Sequence, residues 1–366
     1  MFNDVYKNKK VLITGHTGFK GAWLTTWLLH LGAKVIGVSD RIPTEPSMFK
    51  ELGLANKIDH NILDIRDFEK LKSVMNDSKP DFVFHLAAQA IVSDSYIDPL
   101  NTLSSNVMGT AHVMEVIKGY THPCIAVIIT SDKCYDNVEW VWGYKETDHM
   151  GGKDVYSASK GAAELVFKSY FHSFIKDNTH GVRVGTGRAG NVIGGGDWAN
   201  DRIVVDCMKA WNQGESVEIR SPEATRPWQH VLEPLSGYLS QGMHLLHNKN
   251  LTGESFNFGP KSEQNRTVVD LLSDLSKHWD FESRDDAYKC TDNIPFHEAG
   301  LLKLNCDKAL FYLNWQSTLS YPIMIEFVSE WYYNFYKIKG NMFDITIEQI
   351  EEYQNIATEL KRSWAK

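Results

Sequence analysis

The sequence of 366 residues lacks the features that mark several large classes of protein. Its five cysteines are an odd number without a C-x-x-C pair, so they fit neither a disulfide framework nor a zinc site, and we expect reduced thiols. A net charge of -8 gives no basic footprint for nucleic acid. There is no apolar run long enough for a bilayer, and the polar start Met1–Lys10 lacks a signal-peptide core. We expect a cytoplasmic protein that binds neither nucleic acid nor membrane, and no metal.

The first forty residues have the order strand, helix, strand. Val11–Thr14 is short, apolar and β-branched, Ala22–Leu31 has apolar residues at helical spacing, and Lys34–Ser39 is typical of a second strand. This βαβ order predicts a parallel sheet of the doubly wound Rossmann type, an α/β fold. Later strands are predicted at Phe82–Leu86 and Ile125–Thr130, with long helices at Leu100–Tyr120 and Tyr156–Phe174 and a terminal helix within Asp344–Lys366.

The local composition of the chain changes near Gly190. From there on, loops rich in glycine, aspartate, tryptophan and proline separate shorter predicted elements. We therefore predict a nucleotide-binding domain over residues 1–189. A smaller α/β substrate-binding region, from which some elements return to the first domain, is predicted over residues 190–366.

A glycine cluster lies between the first strand and the first helix. Gly15, Gly18 and Gly21 let a backbone turn tightly and approach a pyrophosphate, which then lies on the helix N-terminus. Asp40 ends the second strand about 20 residues later, where a carboxylate accepts ribose hydroxyls and repels a 2′-phosphate. We therefore predict NAD rather than NADP, a preference that the neighbouring Arg41 moderates. Asp64 is a candidate for the adenine amine, or a surface acid.

A hydroxyl, a tyrosine and a lysine supply what hydride removal from an alcohol requires. Tyr156 and Lys160 are four residues apart, so they lie on one helix face, and the ammonium is expected to lower the pKa of the phenol. Ser131 follows a predicted strand and completes the set. The acid Asp132 and a candidate base, Lys133, adjoin that hydroxyl, which predicts that a carbon–oxygen bond is broken after the oxidation.

Four stretches resemble the extended short-chain dehydrogenase/reductase family: TGHTGFKG at 14–21, HLAAQ at 85–89, NVMGT at 106–110 and the Tyr156-x-x-x-Lys160 pair. Within it the chain is similar to the dehydratases of nucleotide-linked glucose, through SDKCYDN at 131–137, EWVWGYKE at 139–146, RAGNVIGGGDWANDR at 188–202 and TRPWQHVLEPLSGYL at 225–239. The resemblance covers almost the whole chain. One departure is Ser93, where family members often carry a basic residue.

The resemblance implies a redox-neutral 4,6-dehydratase, a hydro-lyase with CDP-D-glucose as substrate and NAD as cofactor. Its catalytic residues are expected to be Ser131, Asp132, Lys133, Tyr156 and Lys160. The cofactor-binding set, to which Tyr156 and Lys160 also belong, is expected to comprise Gly15, Thr17, Gly18, Phe19, Lys20, Gly21, Asp40, Arg41, Asp64, Ile65, Leu86, Ala87, Ala88, Gln89, Asn106 and Thr130.

Lys133 is the unusual member of the catalytic set, because related dTDP-glucose enzymes carry glutamate there. A lysine must lose its proton to act as the C5 base, or it steadies the enolate as a cation. We expect burial beside Lys160 to favour the first role.

The substrate-binding residues are expected to be Ser131, Asn191, Arg202, Arg226 and His230. The arginines suit phosphate geometry, whereas Trp198 and Trp228 are candidates for a wall of the site or for core packing. The residues themselves do not select the base. Rival functions are a dehydratase of another nucleotide sugar, a 4-epimerase, which has no use for Asp132 and Lys133, and a non-catalytic NAD-binding regulator. Pairing of the two long helices across a two-fold axis predicts a homodimer or a dimer of dimers.

Overall fold

The computed structural model describes residues 1–366 except 220, 262–263, 280, 282–285 and 292–300. Its strands are β1 (Lys10–Thr14), β2 (Lys34–Ser39), β3 (Asp59–Ile62), β4 (Phe82–His85), β5 (Cys124–Ile129), β6 (Val182–Ala189), β7 (Val192–Ile193), β8 (Val217–Ile219), β9 (Thr225–Arg226), β10 (Gln229–His230), β11 (Ser255–Phe258), β12 (Arg266–Thr267) and β13 (Tyr288–Cys290). Its helices are α1 (Phe19–His30), α2 (Met48–Glu51), α3 (Phe68–Ser78), α4 (Val92–Ile97), α5 (Pro99–Leu103), α6 (Gly109–Lys118), α7 (Val155–Tyr170), α8 (Ile203–Asn212), α9 (Leu232–His247), α10 (Val268–Ser276), α11 (Asp307–Leu313), α12 (Tyr321–Tyr333) and α13 (Met342–Glu359). Short π-helical segments at Ser104–Met108, Phe171–Ile175 and Asn334–Ile338, and 3₁₀ turns at Phe2–Asp4, Leu54–Asn56, Asp132–Cys134 and Lys249–Leu251, complete the described elements.

The central sheet has seven strands among the described residues, in the order β11-β6-β5-β4-β1-β2-β3, and every pair in it is parallel. Strands such as β5, CIAVII, are buried at every residue. A strand that is covered on both faces reads as a continuous apolar run rather than as an alternating one. The predicted Rossmann-type α/β fold is confirmed.

Two hydrophobic cores lie on opposite faces of this sheet, because successive side chains of a strand point to opposite sides. Ile125, Val127 and Ile129 belong to one core, which also contains apolar residues of α1, α9, α12 and α13. Ala126 and Ile128 belong to the other, which α3, α6 and α7 cover.

The predicted elements differ from the observed ones mainly at their ends. The helix predicted at Ala22–Leu31 begins at Phe19, because Gly18 already has extended backbone angles at the helix N-terminus. The helix predicted at Leu100–Tyr120 is α5 and α6 joined by a π-helical segment. The terminal helix is α13, which ends at Glu359.

Residues after β6 form short strand pairs outside the central sheet: β10 with β7, β12 with β9 and β13 with β8. The exception is β11, which returns to the central sheet beside β6. Among the described residues, no helix is both long and apolar enough to cross a membrane. Because all strands of the central sheet are parallel, their carboxyl ends meet at one edge, and the loops that follow them form the candidate site.

Candidate active site

The turn between β1 and α1 brings backbone very close to backbone. Gly15 has φ +79°, and a Cβ there would lie 2.7 Å from the backbone nitrogen of Ala87. A Cβ on Gly21 would lie 2.0 Å from the carbonyl oxygen of Gly15, so α1 begins directly against the turn. No side chain caps the N-terminus of this 12-residue helix. Its first N–H groups are therefore open to an anion, as a bound pyrophosphate requires.

The end of β2 is fastened to this turn by polar contacts. Thr17 Oγ1 donates to the carbonyl oxygen of Arg41 (2.6 Å), and the Thr17 N–H donates to Ser39 Oγ (3.3 Å). The same Ser39 oxygen lies 2.9 Å from Nδ1 of His16, which is fully buried. These contacts fix the position of Asp40, whose carboxylate is half-exposed and lies 3.9 Å from Nε of Arg41. The His16 contribution was not predicted from the sequence.

Asp64 follows β3, and its carboxylate is already engaged by a neighbour. Arg66 donates to it from Nε (3.0 and 2.9 Å) and Nη2 (2.6 Å), and this hydrogen bonding lowers the pKa of Asp64. The same guanidinium donates to Asn101 Oδ1 (2.7 Å). Ile65 is buried against Gly109, where a Cβ would lie 2.3 Å from its Cδ1. Asp64 is thus part of a network that includes the unpredicted Arg66.

The segment after β4, with Leu86, Ala87 and Ala88 half-buried, lies beside the glycine turn. The Ala87 N–H donates to Thr14 Oγ1 (3.2 Å). Asn106 is buried; its Oδ1 accepts from the Gln89 N–H (2.8 Å), and its Nδ2 donates to Ser159 Oγ (2.8 Å). Asn106 therefore ties this segment to α7.

These observations together test whether the chain fits a dinucleotide. The glycine cradle, the uncapped helix N-terminus and the half-exposed Asp40 supply an anion site and a hydroxyl acceptor on neighbouring strand ends, which is the arrangement that NAD requires. The chain fits the cofactor.

The structure brings together the predicted catalytic residues that follow β5 and those that lie on α7. Ser131 caps the 3₁₀ turn Asp132–Cys134, and its hydroxyl donates to Asp132 Oδ1 (2.8 Å). The side chains of Ser131 and Tyr156 are hydrogen-bonded. Lys160 Nζ lies 5.7 Å from the centre of the Tyr156 ring, and both residues are buried. A hydroxyl, a phenol, an ammonium and a carboxylate therefore face one another.

The expected low pKa of Tyr156 is wrong for the protein by itself. Burial raises the pKa of this phenol to about 12, against the lowering effect of Arg202 and of the hydrogen bond with Ser131, while Asp132 raises it. Burial also lowers the pKa of the Lys160 ammonium to about 8. Desolvation, which the sequence pattern does not convey, thus outweighs the local charges.

Lys20, in the first turn of α1, lies within electrostatic reach of the catalytic groups. Burial lowers its pKa to about 8; Arg202 and Lys160 lower it further, whereas Asp132 and Asp197 raise it. The sequence analysis assigned Lys20 to the cofactor alone. Phe19 before it is half-buried and lies near Gly194, so the start of α1 faces the segment that follows β6.

Lys133 differs from Lys160 in its surroundings, because it is only half-buried. Its backbone N–H donates to Ser131 Oγ (3.3 Å), so the turn places it one residue beyond Asp132. Asp132 is itself buried, with its carboxylate against Gly190, where a Cβ would lie 2.8 Å from Oδ2.

A small open cavity begins at Asp132 and continues towards the C-terminal half. Its lining includes Gly190 and Pro227, the neighbours in sequence of Asn191 and Arg226, and the lysines Lys261 and Lys303. Arg202, half-exposed, lies 3.3 Å from Asp197 through Nη1, while its buried Nε lacks a hydrogen-bond partner among the described residues. Cations and the acid Asp132 therefore share this side of the molecule.

Three aromatic residues of the C-terminal loops lie in the core. His230 is fully buried, with its ring edge-on to Trp23 and Phe327. Trp198 is buried and donates to Tyr336 Oη (3.0 Å), and Trp228 is buried as well. The structure does not bring His230 to the open cavity, and we leave it out of the substrate-binding residues that we propose.

Ser93, the departure from the family pattern, contacts the other side of the site. Its hydroxyl donates to Asp201 Oδ2, across 108 positions of sequence. The Ser93 hydroxyl thus joins α4 to the loop before α8, at the position where the resemblance implies that family members often carry a basic residue.

A buried ion pair beneath the site was missed by the sequence analysis. Glu164, one turn of α7 after Lys160, accepts from Arg188 Nε and Nη2, each at 2.8 Å. The signal was present in the spacing, since Tyr156, Lys160 and Glu164 repeat every four residues along one helix face.

The chain matches the family model described as GDP-mannose 4,6 dehydratase over residues 12–327. It is also 44% identical over 361 residues to the CDP-glucose 4,6-dehydratase of Salmonella typhimurium, covering 97% of this chain and 99% of that protein. The chain belongs to the GDP-mannose 4,6 dehydratase family. The resemblance to nucleotide-sugar dehydratases that its motifs indicated is confirmed.

Solved structures with the fold of this family include enzymes of two kinds. The dTDP-glucose 4,6-dehydratase of Bacillus anthracis, in complex with NAD, has a TM-score of 0.72 at 18% identity and covers 88% of this chain and 96% of its own. The UDP-glucuronic acid 4-epimerase of Bacillus cereus, in complex with UDP-glucuronic acid and NAD, has a TM-score of 0.75 at 21% identity, covering 89% of this chain and 99% of its own. At these identities the likeness is one of fold.

Proposed function

We propose that this protein is an NAD-dependent CDP-glucose 4,6-dehydratase. It converts CDP-D-glucose to CDP-4-keto-6-deoxy-D-glucose and one molecule of water. The observation that carries the proposal is the 44% identity to a dehydratase of CDP-glucose over 97% of the chain. The product is a deoxysugar precursor, and we propose that it serves surface polysaccharide synthesis in the cytoplasm.

The cofactor would be held by residues of the first half of the chain. The glycine turn and the N-terminus of α1 receive the pyrophosphate, and Asp40 accepts ribose hydroxyls. When bound, NAD accepts the hydride that leaves C4 of the glucose and returns it to C6, so no external oxidant is needed.

Tyr156 and Ser131 act on the 4-hydroxyl of the sugar. Tyr156 takes its proton, and Ser131, which is hydrogen-bonded to the phenol, holds the same oxygen. The charge of the Lys160 ammonium favours the ionised phenol, and bound NAD, with its cationic nicotinamide ring, would act in the same sense.

Asp132 and Lys133 act on the bonds at C5 and C6. The 4-ketone acidifies the C5 proton, which Lys133 removes as a neutral amine, and Asp132 gives a proton to the departing 6-hydroxyl. The C5–H and C6–O bonds break, and water leaves. The buried Asp132 opens into the cavity that would receive the nucleotide sugar, and the half-buried Lys133 follows it in the same turn.

Arg202, Arg226 and Asn191 would bind the diphosphate and sugar. The unpartnered Nε of Arg202 is the specific support, since a buried guanidinium N–H without an acceptor is costly unless a ligand supplies one.

The test is to incubate the protein separately with the CDP, dTDP, GDP and UDP forms of glucose and to follow 4-keto sugar formation. We expect turnover of CDP-glucose, with deuterium from C4 of the substrate recovered in the new methyl group at C6. Label lost to solvent, consumption of external NAD in step with product, or a C4-epimerised sugar as product would each overturn the proposal. A preference for another base would overturn the choice of CDP.

We further propose a homodimer, in which α5 and α7 pair with the same helices of a second copy. Large apolar side chains stand exposed on these helices and their extensions: Ile97, Leu100, Leu103, Met108, Leu165 and Phe174. Such an apolar surface is typical of an interface. Ultracentrifugation that shows only monomers at micromolar concentration would reject this proposal.

A further inference from the structure

The buried pair Glu164–Arg188 has an arrangement that bears on the proposed chemistry. Both side chains are at most 2% exposed. Glu164 accepts from Arg188 Nε and Nη2, and also from Thr130 Oγ1 (2.5 Å) and Thr186 Oγ1 (3.0 Å). Its carboxylate is therefore saturated, and its pKa stays below the ordinary value although burial raises it, because Arg188 and these donors favour the charged form.

The remaining guanidinium nitrogen of Arg188 points to the other side. Its Nη1 donates to Tyr135 Oη (2.7 Å) and, at 3.4 Å, to the carbonyl oxygen of Glu146. The Tyr135 hydroxyl in turn donates to Asn257 Oδ1 (2.8 Å) on β11. The Tyr135 N–H donates to the Asp132 carbonyl oxygen (3.2 Å), closing the 3₁₀ turn that carries Asp132 and Lys133.

The ion pair thus holds the catalytic turn at both ends. Thr130 precedes Ser131 and bonds to the carboxylate, and Tyr135 follows Cys134 and bonds to the guanidinium. The four residues between them include Ser131, Asp132 and Lys133. Glu164 also belongs to α7, the helix of Tyr156 and Lys160, so one network connects the two parts of the chemistry.

Stability alone is a weak reason for such a pair. Desolvation of two buried charges offsets most of their attraction, and well-packed apolar residues often replace a buried pair without loss of stability. A fixed geometry, by contrast, requires directional contacts, and the guanidinium here makes them in two directions at once.

We propose that Arg188, acting through Tyr135, is a positioning residue for the elimination of water: it holds Asp132 and Lys133 in register with the sugar that Tyr156 and Ser131 oxidise. This inference rests on the proposed function, and it concerns elimination more than oxidation, because Asp132 and Lys133 both lie in the turn whereas Tyr156 and Lys160 lie on α7. Loosening the turn should slow the loss of water more than it slows hydride removal.

The experiment replaces the Tyr135 hydroxyl alone. In Tyr135→Phe the ring keeps its stacking on Tyr144, at 5.2 Å between centres, while Arg188 Nη1 and Asn257 lose their contact. We expect kcat on CDP-glucose to fall about 10- to 100-fold, the scale of a small misplacement in a catalytic geometry. Because oxidation continues, the near-ultraviolet absorbance of reduced nicotinamide should accumulate on rapid mixing with substrate.

Tyr144→Phe is the matched control. Tyr144 Oη accepts from the Val138 N–H (2.8 Å) and donates to Asn137 Oδ1 (3.1 Å), so it lies in the same aromatic cluster without contacting the ion pair. We expect a comparable loss of melting temperature but no accumulation of reduced cofactor. Thr130→Val releases the other end of the turn and, measured per bound nucleotide, should repeat the accumulation of reduced cofactor expected in Tyr135→Phe. This variant provides the test if Tyr135→Phe does not fold.

Three results would overturn the inference. Tyr135→Phe with wild-type kcat would do so, as would a slower enzyme that stays oxidised during turnover, or accumulation of equal size in Tyr144→Phe. A wild-type protein that does not convert CDP-glucose would remove the proposed function, and the positioning role with it. If the wild-type protein converts CDP-glucose and Tyr135→Phe has the same kcat without accumulating reduced cofactor, only the positioning role is overturned.

Discussion

The tyrosine–lysine pair and the acid–lysine pair face the same site from different kinds of backbone. Tyr156 and Lys160 belong to α7, which runs over 16 residues and is held by a side-chain cap at Asp154. Asp132 and Lys133 belong to a 3₁₀ turn of three residues, whose own hydrogen bonds are few. The first pair takes its geometry from a long helix, whereas the second depends on contacts from outside, through Thr130 and Tyr135.

This difference in backbone corresponds to the two steps of the proposed mechanism, oxidation of the sugar and elimination of water. In the proposed mechanism, oxidation at the sugar carbon uses only the helix pair and Ser131. Elimination needs the turn as well.

The largest effect is expected from the helix pair. Tyr156→Phe should lower kcat about 10²- to 10⁴-fold, because it removes the group that takes the 4-hydroxyl proton. No reduced cofactor should form on mixing with substrate, and bound nucleotide should remain at the wild-type level. Tyr170→Phe, on the same helix, is the control and should turn over normally. Activity near wild type in Tyr156→Phe would remove that residue from the mechanism.

A smaller effect, with a different signature, is expected from the turn. Asp132→Asn should lower kcat about 10²-fold, because the departing hydroxyl loses its proton donor while oxidation proceeds. Stopped-flow absorbance should then show reduced cofactor building up, the opposite of Tyr156→Phe. The exposed Asp136, four residues on, provides the control Asp136→Asn. If both catalytic variants stayed oxidised, the division of labour between helix and turn would be wrong.

The smallest effect concerns stability and the pKa of Lys160. Burial lowers that pKa from 10.5 to about 8. Between these values the unfolded chain binds more protons than the folded one, so the contribution of Lys160 to the free energy of unfolding rises with pH across the interval. Below about pH 8 the buried Lys160 is charged, and its desolvation lowers the free energy of unfolding.

Denaturant unfolding of nucleotide-stripped protein at a series of pH values measures the contribution of Lys160 to the free energy of unfolding. Lys160→Met should be more stable than wild type at pH 7. The difference in free energy of unfolding between the two proteins should become smaller as the pH rises above about 8. Lys168→Met, an exposed lysine of α7, should show no such trend. A gap that is independent of pH would contradict the burial of a charged ammonium at Lys160.

The sequence predicted the Rossmann-type fold and the convergence of Ser131, Asp132, Tyr156 and Lys160, because strand order and helical spacing are local patterns. It did not predict the raised pKa of Tyr156, since desolvation depends on everything packed around the phenol. The contacts of Arg188 were not predicted either, because its partners Glu164 and Tyr135 lie 24 and 53 positions away in sequence. His230 lies buried in the core, and its place among the substrate-binding residues stays a prediction, because a loop motif does not say which side chains turn into the core.

The return of β11 to the edge of the sheet limits how the chain can be divided. Residues 255–258 pair with β6 along Ser255↔Thr186 to Phe258↔Ala189. A fragment that stopped at residue 189 would leave the main-chain amides and carbonyls of β6 without their partners on β11, and such an unpaired strand edge is a template for pairing with another copy. We therefore do not expect residues 1–189 to form an independently stable domain. A fragment that ends there should self-associate rather than remain a soluble monomer.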